Sequence, residues 1–399
     1  MGQNVVPLFR ATSVEAGTDT DALPRVEVGG KPGLLPSQQI EALISRKKVD
    51  APSGIAADQI QPASIDLRLG RKAYRVRASF LPGKTQTVIQ QLDKLKQHEF
   101  SLDGGAVLEQ GCVYVVRLQE TLNLPPSISA IANPKSSTGR IDVFTRLITD
   151  RTEAFDWVEA KYEGELYAEI FPRTFSIKVE TGSKLNQMRF LRRSGSQDRY
   201  WRPELSDAQL RKLDKRIPLV DGTAGEAAIR NGLNVGVDLK GAGGKTVIGY
   251  RALKFADVLN VEKRGHNKRD FWEPIYASRD GRLILQPNEF YILASRQRIQ
   301  VPPEYAAEMI PIDPMMGEFR AHYAGFFDPG FGYAEEGGGA GSKAVLEVRT
   351  LEVPFVLEHG QTIARLVYEE LAERPAKIYG RGIASHYQGQ GLKLSKHFK

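Results

Sequence analysis

Three short segments of the chain hold the residue types that chemistry needs. The first is NPKSSTGR (133–140), with two adjacent hydroxyls, a glycine and two cations at a strand-to-loop junction. Such a set can cradle phosphate: Ser136 and Ser137 donate through side chain and backbone while Lys135 and Arg140 neutralise charge. Ser-Ser-Thr-Gly is also ordinary turn chemistry, so the segment alone decides little. The second is HYAGFFDPGFG (322–332), where Asp328, Pro329 and Gly330 mark a tight turn flanked by Tyr323 and Phe331. The backbone of such a hairpin can lie against a flat base, or it can be a structural hairpin with core aromatics. The third is AVLEVR (344–349), in which Glu347 stands inside an apolar strand. An ionised carboxylate is rarely left there without a partner or a task. Desolvation raises the pKa of a glutamate and suits it to general acid–base work near neutral pH. The competing reading is that strand alternation points it at solvent. Glu169 holds the same place in LYAEIF (166–171) of the first half.

The elements that must position these residues are short and mostly extended. LPSQQIEALISRKKV (35–49) reads as a helix capped by Ser37, with Ile40, Leu43 and Ile44 on one face. PASIDLRLG (62–70) alternates as a half-buried strand, and strand patterns recur at 73–80, 111–125, 128–134, 165–172 and 175–182. That cadence predicts a sandwich or barrel. The polar stretch 192–216 reads as a connector, with SDAQLRKLDKR forming a short helix capped by Ser206. Its basic residues read as a solvated surface rather than a nucleic-acid patch, because no aromatic ladder accompanies them.

The second half then repeats the order of the first. LNVGVDLKG (233–241) takes the place of PASIDLRLG, and AVLEVRTLEVPFVLEHGQTIARLVYE (344–369) that of LYAEIFPRTFSIKVETGSKLNQMRF. This is an internal duplication with repeats well over 100 residues long. The expected layout is a flexible leader at 1–34, a first domain at 35–191, a linker at 192–218, a second domain at 219–376 and a tail at 377–399.

Bulk properties narrow the class. A chain of 399 residues exceeds one ordinary core, and 38 Gly with 22 Pro favour strands and turns over a helical bundle. No apolar run approaches the ~18–20 residues of a membrane span, and the first 30 residues lack the pattern of a secretory signal. Cys112 is the one cysteine, which excludes an intramolecular disulfide and a cysteine cluster for zinc. It reads as a buried strand residue, and a reducing cytoplasm fits. The net charge of +7 suits a polyanionic ligand without identifying it.

Taken together, the motifs resemble the dCTP deaminases of the dUTPase-like superfamily, once per half, from about residue 35 to the C-terminus. KSSTGR is similar to that family's phosphate motif, with Lys135 in place of an arginine. YAGFFDPGFG looks like its base-binding hairpin, VLEV like the strand of its catalytic glutamate, and HYQGQGLKLS (386–395) like its C-terminal lid. The resemblance implies an all-β fold of two tandem distorted jelly-roll barrels. It implies catalysis by Glu347, with water held by the Ala324 backbone and the hydroxyl of Ser136. Lys135, Ser137, Arg140, Tyr387 and Gln390 would bind the triphosphate, and Tyr323, Asp328, Gly330 and Phe331 the nucleoside. Mg²⁺ would enter with the dCTP substrate, and no zinc is needed, since the zinc deaminase signature is absent.

The departures divide the labour. The second half has PIDPMMG (311–317) where a serine pair belongs, and the first half has TDRTEAFDWVEAKYEG (149–164) where the hairpin belongs. The first domain is therefore expected to supply phosphate ligands and the second the base site and the glutamate. Phe326 stands where the family pattern has an arginine, and Arg151 matches that place beside Glu169, so a site on Glu169 stays open. So do dUTP pyrophosphatase or bifunctional activity, with Asp328 directing water, and a non-catalytic nucleotide-binding regulator. The superfamily's threefold rings imply a homo-oligomer with a trimeric arrangement of domains, and no nucleic-acid or membrane partner.

Overall fold

Short runs of alternating apolar and polar residues, broken by Gly and Pro, fold here into two matching sets of antiparallel sheets. The computed structural model describes residues 30–194, 199–221, 227–241, 246–311, 319–321, 325–333, 341–350, 352–381 and 386–399, at 319–321 by backbone alone. In the first half one sheet runs Lys96–Ser101, Leu69–Val76, Val113–Asn123, Glu163–Pro172, Val143–Thr149. The second half repeats that order as Trp272–Tyr276, Val247–Ala252, Phe290–Ile299, Ser342–Thr350, Phe319–Ala321. A facing sheet joins Asn186–Arg192 to Ile128–Pro134 and Ile65–Leu67, and its counterpart joins Thr362–Glu370 to Tyr305–Pro311 and Leu233–Gly236. The duplication holds sheet for sheet, and the fold is all-β.

Helices are few. The first spans Ser37–Ser45, with Ile40 and Leu43 buried and Ile44 half-buried. Ser37 does not cap it; Pro36 holds the N-cap position, and the Ser37 hydroxyl instead accepts the Lys377 N–H at 3.3 Å. Asp207–Arg216 is capped by Ser206 as expected, through a reciprocal box with Gln209, and buries Leu210 and Leu213 in the second-half core. A helix at Val88–Leu95 was not expected, although Thr87 and Gln90 form its capping box. Cys112 is half-buried just ahead of its strand rather than buried within it, and the Arg75 guanidinium lies 3.0 Å from its sulfur.

The basic residues of the stretch 192–216 form a solvated surface at Arg199, Arg211, Lys212, Lys215 and Arg216, which are exposed, but not at Arg192 and Arg202. Arg189 and Arg192 are buried, and Arg202 is largely so. Arg189 donates to Ala307 O (3.2 Å), Phe327 O (2.9 Å) and Glu369 Oε2 (3.2 Å), and stacks 3.9 Å over the Phe326 ring. Arg202 donates to Glu369 at 2.8 Å and also pairs with Glu308, which accepts the Asn133 amide at 2.8 Å. These contacts join first half and connector to the second half. Breaking one partner of such a buried pair costs about 3–5 kcal/mol, so the network fixes how the halves dock. Hydrophobic seams reinforce it. Leu259–Asn260 of the second half adds in parallel to Ile177–Val179 of the first, and Phe271 and Trp272 meet Phe175 at 5.5 Å. Phe398 of the tail packs on both, at 5.4 and 5.9 Å. Lys31–Lys399 is one compact unit.

Candidate active site

Where the halves meet they enclose a cavity of about 630 Å³, walled by the phosphate segment of the first half, the hairpin and glutamate strand of the second, and the tail. The strand Ile128–Pro134 is buried along its length and ends at a proline. Lys135 follows in extended conformation, its N–H donating to Leu185 O at 2.8 Å, and Ser136–Gly139 then makes a single helical turn. Thr138 and Gly139 donate back to Lys135 O (2.8 and 3.0 Å), whereas the N–H groups of Ser136 and Ser137 have no acceptor among the described residues. Both serines line the cavity. Free amides with adjacent hydroxyls form an anion-binding concavity. Lys135 is ion-paired with Asp66. Arg140 donates to Gln390 Oε1 (3.1 Å) and Lys393 O (3.0 Å) and stacks 3.8 Å from the Tyr387 ring. Lys135, Ser136, Ser137, Arg140, Tyr387 and Gln390 thus converge from the first half and the tail.

Glu347 sits on the strand Ser342–Thr350, between Phe290–Ile299 and Phe319–Ala321 in its sheet. Its neighbours Leu346 and Val348 point into the second-half core, so strand alternation turns Glu347 the other way, to the cavity. The carboxyl rests on the phosphate turn: a Cβ placed on Gly139 would lie 2.9 Å from Glu347 Oε2 and 3.0 Å from Oε1. It accepts no hydrogen bond from any described residue. Burial pushes its pKa from the ordinary 4.5 up to about 8; the Arg140 charge opposes this and Asp142 adds to it. Asp142 is itself held across the halves by Arg349, which also donates to Thr174 Oγ1 at 2.8 Å.

Glu169 is placed differently. It is buried outside this cavity, and Arg146 donates to it at 2.7 Å. Arg151, expected beside it, is exposed. The reason is register: Arg146 lies directly opposite Glu169 on the antiparallel neighbour, where side chains meet.

On the hairpin, Phe326–Phe327 pairs with Ala307 and Glu308, and the turn closes by Phe331 N–H to Asp328 O at 3.0 Å. Gly330 has φ 95° with Ile378 Cγ2 2.3 Å from where a Cβ would stand, so only glycine fits. Asp328 faces Arg189 at 3.6 Å; burial raises its pKa, Arg189 opposes and Asp66 adds. Phe331 packs edge-on to Phe327 at 4.9 Å. Phe326 is buried beneath the Arg189 guanidinium, so a first-half arginine faces the place where the family pattern has one of its own. Ala324, Tyr323, the leader to residue 29, the glycine run at 337–340 and 312–317 of PIDPMMG lie outside the described residues.

Sequence reasoning missed Asp66, Arg189, Tyr379 and Gln388. Gln388 accepts the Gly332 N–H (2.9 Å) and donates to Gly330 O (3.1 Å), clasping tail to hairpin. The Tyr379 hydroxyl accepts the Tyr387 N–H at 3.1 Å. Asp66 stood in plain view in ASIDLRLG, but alternation assigned it to a wet face, whereas it is buried at the cavity wall and paired with Lys135.

Comparison with known proteins identifies the family and the fold. Residues 31–195 match the family model described as 2'-deoxycytidine 5'-triphosphate deaminase N-terminal domain, and 206–398 match that of the C-terminal domain. A crystal structure of 2'-deoxycytidine 5'-triphosphate deaminase from Agrobacterium tumefaciens is similar with a TM-score of 0.80 and 51% identity, covering 86% of this chain and 99% of that one. Among curated relatives, a dCTP deaminase, dUMP-forming, from Nanoarchaeum equitans is 28% identical over 177 residues, 40% of this chain and 84% of the relative. One of the same name from Bifidobacterium longum is 30% identical over 138 residues, 34% of this chain and 68% of the relative.

Proposed function

The chain belongs to the dCTP deaminase family, and we infer that it hydrolyses dCTP to dUTP and ammonia in the cavity between its two halves. The observation that carries the mechanism is the Glu347 carboxyl, pushed to about 8 and packed on Gly139 of the phosphate turn. The triphosphate would lie on Lys135, Ser136, Ser137 and Arg140 under Tyr387 and Gln390. The base would lie on the hairpin, with Tyr323, Asp328, Gly330 and Phe331 around the nucleoside. Mg²⁺ would come in as part of the substrate, and zinc has no part in this reading.

At neutral pH a carboxyl titrating near 8 rests mostly protonated, so it can first give its proton to N3 of cytosine. The carboxylate so formed then takes a proton from a water held by the Ala324 backbone and the Ser136 hydroxyl, as that water attacks C4. Passing this proton to the amino group lets ammonia leave, and as the C4 carbonyl forms its hydroxyl proton returns to Glu347, which restores the starting acid. Glu169, tied to Arg146, takes no part.

A second reading adds cleavage of the product dUTP to dUMP and pyrophosphate, favoured by the dUMP-forming names of the curated relatives. Ammonia and pyrophosphate measured from dCTP, with Mg²⁺ and a zinc chelator present, separate the two. Ammonia alone supports the first, and both products support the second. Turnover abolished by the chelator refutes the zinc-free mechanism. We place the enzyme in the cytoplasm, as a homo-oligomer with trimeric packing of its domains. Among the described residues no helix is long and apolar enough to cross a membrane.

A further inference from the structure

We propose that Arg264 reads the terminal phosphate of the substrate and so makes the site select a nucleoside triphosphate over a monophosphate; this rests on the deaminase reading above. The segment that carries it lies between the strands Val247–Ala252 and Trp272–Tyr276. The first half fills the same interval with the helix Val88–Leu95. The segment is tied down on both sides of Arg264. Ahead of it, Leu259–Asn260 joins the first-half strand Ile177–Val179, and Glu262 accepts the Ser183 hydroxyl at 2.6 Å. Behind it, His266 N–H donates to His397 O at 2.8 Å, and Lys399 N–H to His266 O at 3.1 Å.

Between these anchors Arg264 stands exposed at the cavity mouth, its Nη2 3.4 Å from His386 Nε2. Contacts run outward in series: Glu347 on Gly139, Arg140 next in sequence, Tyr387 stacked on Arg140, His386 beside it, and then Arg264. That series leads from the reacting group past the phosphate turn to the rim, which is where a chain of phosphates must end. The cations along it are not equally free. Lys135 is committed to Asp66 and Lys184 to Asp58. Arg264 and Lys396 pair with no carboxylate among the described residues. Burial and the Arg264 charge both hold the His386 imidazole below its ordinary value. A guanidinium set among like charges gains most from a multiply charged anion it can grip with two donors.

The test uses the full chain carrying Arg264→Ala or Arg264→Lys. Ammonia release from dCTP and dCMP gives kcat and KM, and calorimetry in a Glu347→Gln background gives Kd for both nucleotides. Arg264→Ala is expected to raise KM and Kd for dCTP about tenfold, leave kcat within about twofold, and leave the dCMP Kd unchanged, with Arg264→Lys recovering part of the loss. An unchanged dCTP Kd, or an equal loss for both nucleotides, overturns the proposal. Absence of ammonia from the unsubstituted chain would overturn the deaminase reading instead, while the two Kd values still judge Arg264.

Discussion

Gly139→Ala isolates the placement of the catalytic carboxyl from the stability of the fold. Gly139 lies in the helical turn, where alanine is the better residue by about 0.5–1 kcal/mol. Its backbone thus accepts the change, and all the strain falls on Glu347. The new Cβ would meet Oε2 at 2.9 Å, Oε1 at 3.0 Å and Cδ at 3.1 Å, whereas ordinary contact begins at 3.4 Å. Because three atoms of the carboxyl are engaged, a simple rotation does not relieve them, and the whole group must retreat by roughly 0.3–0.5 Å. A 1 Å misplacement of reacting groups can cost about 100-fold, so this retreat should lower kcat about tenfold. KM should stay within about twofold, since Ser136 and Ser137 still present their amides. Steady-state ammonia release with a thermal melt of the same preparation reads both quantities. Full kcat in the variant would refute the assignment of Glu347 as the working group. A loss of kcat with a large fall in melting temperature would show that the turn, not the carboxyl, had been damaged.

Glu347→Gln should lower kcat by about 10²–10⁴, while Glu169→Gln should keep turnover within about twofold and cost about 1–3 kcal/mol of stability by weakening the Arg146 pair; kinetics and denaturation of both variants check this. If Glu347 must start protonated, kcat/KM is flat at low pH and falls as pH rises through about 8. Asp142→Asn removes a like charge, which favours the ionised carboxyl, so the falling limb should move to lower pH. A raised carboxyl pKa also means that stability is lost as pH climbs from 4.5 towards 8, because the unfolded chain ionises more readily. Melting temperature should therefore gain more from Glu347→Gln at pH 8 than at pH 5.

Much of the architecture was legible because it is local. Strand alternation and the Ser206 cap are written within a few residues of one another, as are the motifs Lys135–Arg140 and Asp328–Gly330, and the paired order of segments repeats these local patterns. What escaped was burial created at a distance. Arg202 read as part of a wet basic run until a second half brought Glu308 and Glu369 against it, and Asp66 read as an outward residue although it is buried at the cavity wall beside Lys135. Glu169 and Glu347 occupy equivalent strands and look alike in sequence. Only the residue opposite, Arg146 for the first, tells which carboxyl is tied and which faces the cavity. Arg264 carried no pattern at all, since one exposed arginine resembles any other.

The ion network between the halves also orders events on the ribosome. Arg189 leaves the exit tunnel 180 residues ahead of Glu369, its buried counter-ion. At about 5–20 residues per second, that separation is roughly ten to forty seconds of synthesis. Until the second half brings Glu308, Asp328 and Glu369, the nascent first half holds a guanidinium whose native burial has nothing to neutralise it, so its inner face must remain hydrated. Docking therefore waits for the strand Thr362–Glu370, and the stacking of Tyr387 and Phe398 waits longer still. The substrate cavity is thus among the last features to form, and a chain truncated ahead of Tyr387 lacks the ring that stacks on Arg140.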